Sequence, residues 1–250
     1  MSLTNSSEHS AAGSDISTNQ ALSAYVRYGF SPESDNPTQS PNLQQVDAPI
    51  PDNATTVSPV YLLTDDEKQR IHSIENPYQV TDATCIATEL QNCAEANDRV
   101  LYPVLIENDD FDEKPSDETF RVMKQFVTTE LQCNPTEAMF YYSGNRSIHC
   151  HVARFVRDES SRQWLKRAAE EYCNETEADF DTAIYSRKRQ FRLPGVNHDK
   201  TELKKVEIQP EWTRGEIMSK SSNSTRDTPE STLEFLSNVF DDSKHAEESN

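Results

Sequence analysis

The chain has 250 residues, with 43 acidic against 24 basic side chains and a formal net charge of −19. Such a balance argues against general nucleic-acid binding, because phosphate contacts need cations. Lysine is the minority base, at 10 against 14 arginines. That pattern fits a salt-adapted (halophilic) source, where a Debye length of about 3 Å leaves binding to local contacts.

Residues 1–55 are rich in Ser, Asn, Pro, Asp and Gln and read as a largely disordered N-terminal region. Within it, 19–30 (NQALSAYVRYGF) predicts a short helix. The foldable part is 56–212, an ordinary single-domain length. Residues 64–75 carry a Thr cap and early acids, and 82–96 set Cys85, Ile86, Leu90 and Cys93 on one side, so both predict helices. VLYPVLIE (100–107) is an apolar run of strand length. Ser116 then caps a helix with Phe120, Met123, Val127 and Leu131 at helical spacing.

EAMFYYS (137–143) and SIHCHVARF (147–155) predict a hairpin around a Gly-Asn turn. A helix over 158–173 follows, with Trp164, Leu165, Ala168 and Tyr172 inward. DTAIYSRKRQFRLPG reads as largely extended, and LKKVEI as a last strand. The fold class is α/β, with mixed sheets flanked by helices and disordered N- and C-terminal tails. The tail, 213–250, is largely polar, and Leu233, Leu236, Val239 and Phe240 recur in it at helical spacing. These form an amphipathic helix over 229–240, short enough to need a partner's groove.

Five cysteines, none at CxxC spacing, fit reduced thiols and no zinc. No membrane-length apolar run and no leader are visible, so a cytoplasmic protein is expected.

Three stretches carry chemistry. Glu107 and Asp109 lie two apart at a strand end, so both carboxylates face one way and suit a hard cation. In YYSGNRSIHCHV, Ser147, His149 and His151 share one face, with Ile148, Cys150 and Val152 on the other. From Tyr185 to Val206 there are seven bases (Arg187, Lys188, Arg189, Arg192, Lys200, Lys204, Lys205) and two acids, which marks an anion site.

The order of these stretches resembles the archaeo-eukaryotic primase superfamily, the small catalytic primase subunits and primase-polymerases. Glu107-Asn108-Asp109 matches its acid-x-acid motif, Ser147-Ile148-His149 its Ser-x-His motif, and Phe180-Asp181 its third. The Arg-rich run after Asp181 resembles the family's nucleotide-contacting segment. The likeness spans roughly 100–208. Two positions depart from the pattern: Glu107 stands where Asp is usual, and Asn108 where an apolar residue is usual.

The resemblance implies a DNA primase or primase-polymerase-like nucleotidyltransferase, making primers on a single-stranded DNA template. Glu107, Asp109 and Asp181 would be catalytic and hold two Mg²⁺ or Mn²⁺ ions, with Asp110 as an auxiliary ligand. Ser143, Arg146, Ser147, His149, Arg189 and Arg192 would bind the nucleoside triphosphate. A helicase or clamp would engage 229–240. Two alternatives stand beside it. One is a noncatalytic replication-associated protein of the same fold. The other is a rolling-circle Rep or relaxase, read from His149-Cys150-His151 with Tyr185 as nucleophile and Lys188 three residues on.

Overall fold

The computed structural model describes residues 22–30, 43–72, 80–109, 111, 116–156, 159–176, 178–186 and 189–224. In chain order the strands are β1 (Ser23–Phe30), β2 (Leu43–Gln45), β3 (Ala54–Val57), β4 (Val60–Leu63), β5 (Val100–Asn108), β6 (Ala138–Tyr142), β7 (Ile148–Val156), β8 (Phe191–Arg192) and β9 (Val206–Ile208). The helices are α1 (Asp65–His72), α2 (Val80–Ala96), α3 (Ser116–Thr129), α4 (Glu159–Thr176) and α5 (Arg214–Asn223). The strands form one sheet in the order β8-β3-β1-β4-β5-β7-β6-β9, with β2 also on β1.

Helices and sheet make an α/β fold. The sheet is not mixed in direction, because every strand pairing described is antiparallel. The reason lies in β5-α3-β6-β7. The α3 crossover returns the chain parallel to β5 but one place away, and the hairpin strand β7 fills the gap antiparallel to both. Beyond β5, Phe180 bridges Asn108 where a fourth strand would pair. This is a split β-α-β layout with a vestigial last strand.

The alternation of β7 sorts its side chains as its sequence predicts. Ile148, Cys150 and Val152 are 0%, 0% and 2% exposed. They face α3 and α4: Phe120 meets Phe140 edge-on at 5.2 Å, and Phe126 meets Tyr172 and Phe180 at 5.2 and 5.3 Å. Burying each such side chain contributes about 1.5–3 kcal/mol. A second core sets Ala87, Leu90 and Ala94 of α2 against Tyr25, Tyr61, Leu63 and Val100. Glu107, His149 and His151 are left on the sheet's other face.

Several expectations need correcting. The segment read as a short helix over 19–30 forms β1, because SAYVRYGF is rich in aromatic and β-branched residues and pairs with β2, β3 and β4. Residues 22–30 and 43–55 therefore belong to the folded body, not to a disordered region, and Leu43, Val46 and Ile50 are buried. The expected flexible tail begins with α5, whose Thr213–Glu216 capping box and buried Ile217 tie it to the core. Trp164 is 47% exposed because α4 turns Arg162, Leu165 and Ala169 inward instead. The stretch after Asp181 opens as a 3-10 turn, Thr182–Tyr185. The helix proposed for 229–240, Asp110 and the 187–188 pair lie outside the described residues.

Candidate active site

β5 delivers Glu107 and Asp109, and the β6–β7 turn delivers Ser143, Arg146 and Ser147. Gly144 allows that turn to close, with φ +87° and an added Cβ that would stand 2.4 Å from the Leu203 carbonyl oxygen. Ser143 Oγ accepts the backbone N–H groups of Asn145 and Ser147 at 3.3 and 3.2 Å, so its hydroxyl shapes the turn. The Ser147 hydroxyl donates to Asp109 Oδ1 at 2.7 Å, and Arg146 donates to Oδ2 at 2.6 Å.

Glu107 is 9% exposed and sits opposite His149 in the β5–β7 register. Its oxygens lie 3.3 Å from His149 Nε2 and 3.3 Å from Arg189 Nη2. Burial works against ionisation, but His149, Arg189 and Ser147 outweigh it and hold the carboxyl at about 2. Burial pushes the His149 imidazole below its ordinary range, and the charge of Lys205 adds to this while Glu107 opposes it. Apart from the Glu107 oxygen 3.3 Å from Nε2, neither ring nitrogen of His149 has a hydrogen-bond partner among the described residues.

Arg192 donates to the Ser143 carbonyl at 3.0 Å, which anchors its guanidinium beside the turn. A cleft of about 310 Å³ runs between these groups, lined by Glu107, Ser147, His149, Arg189, Arg192 and His198, with Thr56 and Gln190 on its far wall. Thr56 donates to Gln190 at 2.6 Å, beside Gly29, where a Cβ would meet both. Sequence reading missed Thr56, Gln190 and His198. The motif order carries no signal for Thr56, because its strand reaches the cleft only through β3–β8 pairing.

Asp181 arrives by backbone. Its N–H donates to the Glu107 carbonyl at 2.9 Å, while its carboxylate accepts the Ala183 N–H at 2.8 Å. Carboxylate oxygens are the right donors for Mg²⁺ or Mn²⁺, but they are not assembled for one. Asp109 and Glu107 face guanidinium groups, and Asp181 caps its own turn. Among the described residues no three His, Cys, Asp or Glu side chains form a metal-binding group.

The histidine pair does not make a shared metal site either. His151 faces Lys205, with Nζ 3.3 Å from Nε2, and lies 4.8 Å ring to ring from Tyr141. Tyr185 is 6% exposed, its hydroxyl has no hydrogen-bond partner among the described residues, and burial pushes its pKa far up. A nucleophile must be reachable and ionisable, so the relaxase assignment of Tyr185 fails on both counts. No helix among the described residues is long and apolar enough to cross a membrane.

No family model matches the chain, and no curated protein sequence does. Among solved structures, the polymerase domain of Mycobacterium tuberculosis Ligase D in complex with DNA is similar at 12% identity, covering 84% of this chain and 86% of that one, with a TM-score of 0.37.

Proposed function

We propose that the chain is a template-directed nucleotidyltransferase of the primase-polymerase kind, acting on a single-stranded DNA template with nucleoside triphosphates. One observation carries the reading. Glu107, at the end of β5, shares a cleft with His149, Arg189 and Arg192, and its neighbour Asp109 is engaged by Arg146. Guanidinium forks suit triphosphate oxygens, and the cleft's far wall supplies neutral donors at Thr56 and Gln190. Arg192, anchored on Ser143, is the fixed phosphate contact. His149 and Ser147 stand at the junction of the anion and carboxylate sides. Glu107 and Asp109, with Asp181 alongside, are the proposed ligands of Mg²⁺ or Mn²⁺. The 229–240 segment is proposed to recruit a helicase or clamp.

The test is synthesis on single-stranded and primed templates, with labelled ribo- and deoxyribonucleotides, Mg²⁺ or Mn²⁺, at low and molar salt. Template-dependent product supports the reading. Triphosphate binding without product in any condition favours the second reading, a noncatalytic replication-associated protein. The observation behind that second reading is that both β5 carboxylates are already engaged by arginines.

A further inference from the structure

Helix α5 has two unlike faces. Ile217, Ser221 and Ser224 turn inward: Ile217 is fully buried, the Ser221 hydroxyl donates to the Lys204 carbonyl at 2.6 Å, and the Ser224 carbonyl accepts from the Lys204 ammonium. The other face is open. Gly215, Ser219, Lys220 and Asn223 are exposed along it, and Trp212, half-buried just before the helix, closes one end. Together they line a groove of about 690 Å³. A Cβ on Gly215 would have its nearest neighbour atom 4.0 Å away, so the groove's floor leaves room for a close approach. The chain just beyond α5 has the length and pattern to fill it. Four residues, 225–228, separate Ser224 from Pro229, and Thr228-Pro229 is a helix-start signature. A connection that short between two helices makes them antiparallel neighbours.

We propose that residues 229–240 of this same chain dock in the groove as a helix antiparallel to α5. That register sets Leu233 level with Ser219, Leu236 with Glu216 and Phe240 with Trp212. At about 1.5 Å per residue, α5 spans about 15 Å and 229–240 about 18 Å, so stripe and groove match in length. Charge agrees with the same register. Glu230 and Glu234 come to the end of α5 that carries Lys220, and Asp241 and Asp242 come to its N-terminal end, where the helix dipole favours acids. A helix this short is marginal alone and gains its stability from a packed apolar face. The tether holds it at an effective concentration on the order of millimolar, so a contact too weak to join separate molecules is still populated. A partner that takes the segment must first draw it from α5, and the groove thereby sets a threshold on recruitment. The groove shares no residue with the cleft that Glu107 and Arg192 line, so the docking stands apart from the transferase reading.

Trp212 reports on the groove. The chain has two tryptophans, so Trp164→Phe, at an exposed position of α4, leaves Trp212 as the sole indole emitter. In that full-length parent, Leu236→Asp should shift Trp212 emission to the red and raise its quenching by acrylamide, because the apolar anchor over the groove is gone. Ser219→Arg fills the groove with a strong helix former and should produce the same two changes. Ser219→Ala should produce neither. The Ser219→Arg/Leu236→Asp double variant should match either single one, since both break one contact. Leu236 lies outside α5, so its variant tests the docking even where Ser219→Arg disturbs the helix. Trp212 emission and quenching that ignore Leu236→Asp overturn the docking and leave the groove to another molecule. Changes that add in the double variant overturn it too, because they would come from separate perturbations. Parent emission that moves with protein concentration makes a second copy the occupant and overturns the intramolecular seat. The fluorescence result holds whether or not the chain incorporates nucleotide.

Discussion

Lys205 Nζ lies 2.9 Å from the Arg192 carbonyl oxygen, and the lysine is wholly shielded from solvent. The groups facing it are His151, the Tyr141 ring, Arg192 and, at longer range, Glu107. Burial is the main reason its pKa falls to about 7, with Arg192 adding to the fall and Glu107 opposing it. An unfolded lysine titrates near 10.4. Between those values the unfolded chain holds a proton that the folded chain lacks, so this residue makes stability rise with pH from about 7 to 10. Below pH 7 the buried charge costs its full amount. Lys205→Met should remove this slope. Its melting temperature relative to wild type should be higher at pH 7 than at pH 9, by about 3 °C or more. An equal difference at both pH values would show that Lys205 titrates normally.

Asp109→Asn and Asp181→Asn should each cut nucleotide incorporation at least about a hundredfold while leaving the fold intact. Asp181 separates two roles. Asn still caps the 3-10 turn, whereas Asp181→Ala also loses the cap and about 1 kcal/mol. Near-wild-type incorporation by both Asn variants would remove these acids from the site.

Tyr185→Phe deletes a buried hydroxyl without a hydrogen-bond partner among the described residues. Stability should hold or rise by about 1 kcal/mol, since the phenol's desolvation goes uncompensated. Incorporation should persist, and mass spectrometry should find no DNA–tyrosine adduct in the native protein. An adduct lost in the variant would restore the relaxase reading.

Two glycines should respond with opposite signs. Gly144→Ala drives a Cβ to 2.4 Å from the Leu203 carbonyl oxygen at a φ of +87°, and should cost about 1–3 kcal/mol and weaken triphosphate binding. Gly215→Ala, in the first turn of α5 with its nearest neighbour atom 4.0 Å away, should stabilise by about 0.5 kcal/mol. Thermal melts of the pair check both.

The β5 acids and the histidine strand were readable because a two-residue period states which side chains share a face. The same rule places Ile148 and Cys150 in the core. The engagement of those acids was not readable. Arg146 meets Asp109 and Arg189 meets Glu107 across 37 and 82 residues of chain, and no local pattern encodes either contact. Lys205 reads as one member of a basic run, yet it is sealed inside while Lys204 beside it reaches outward to the Ser224 carbonyl. β1 was missed for a related cause. Its partners β3 and β4 lie beyond a polar stretch, and a lone short segment does not reveal the neighbours that will pair with it.

Phe191–Arg192 pairs with β3 at one end of the sheet order, and Val206–Ile208 pairs with β6 at the other, so about a dozen residues join the two ends. The Thr56–Gln190 contact that builds one wall of the cleft spans 134 positions. A ribosome making this chain would therefore release β5 and the β6–β7 hairpin, with Glu107 and Asp109, before the cleft has its second wall. Charge pairing at Asp109 arises early, from neighbours already made. The wall that carries Arg189, Gln190 and Arg192 comes later, so the cleft is completed only after most of the chain has been made.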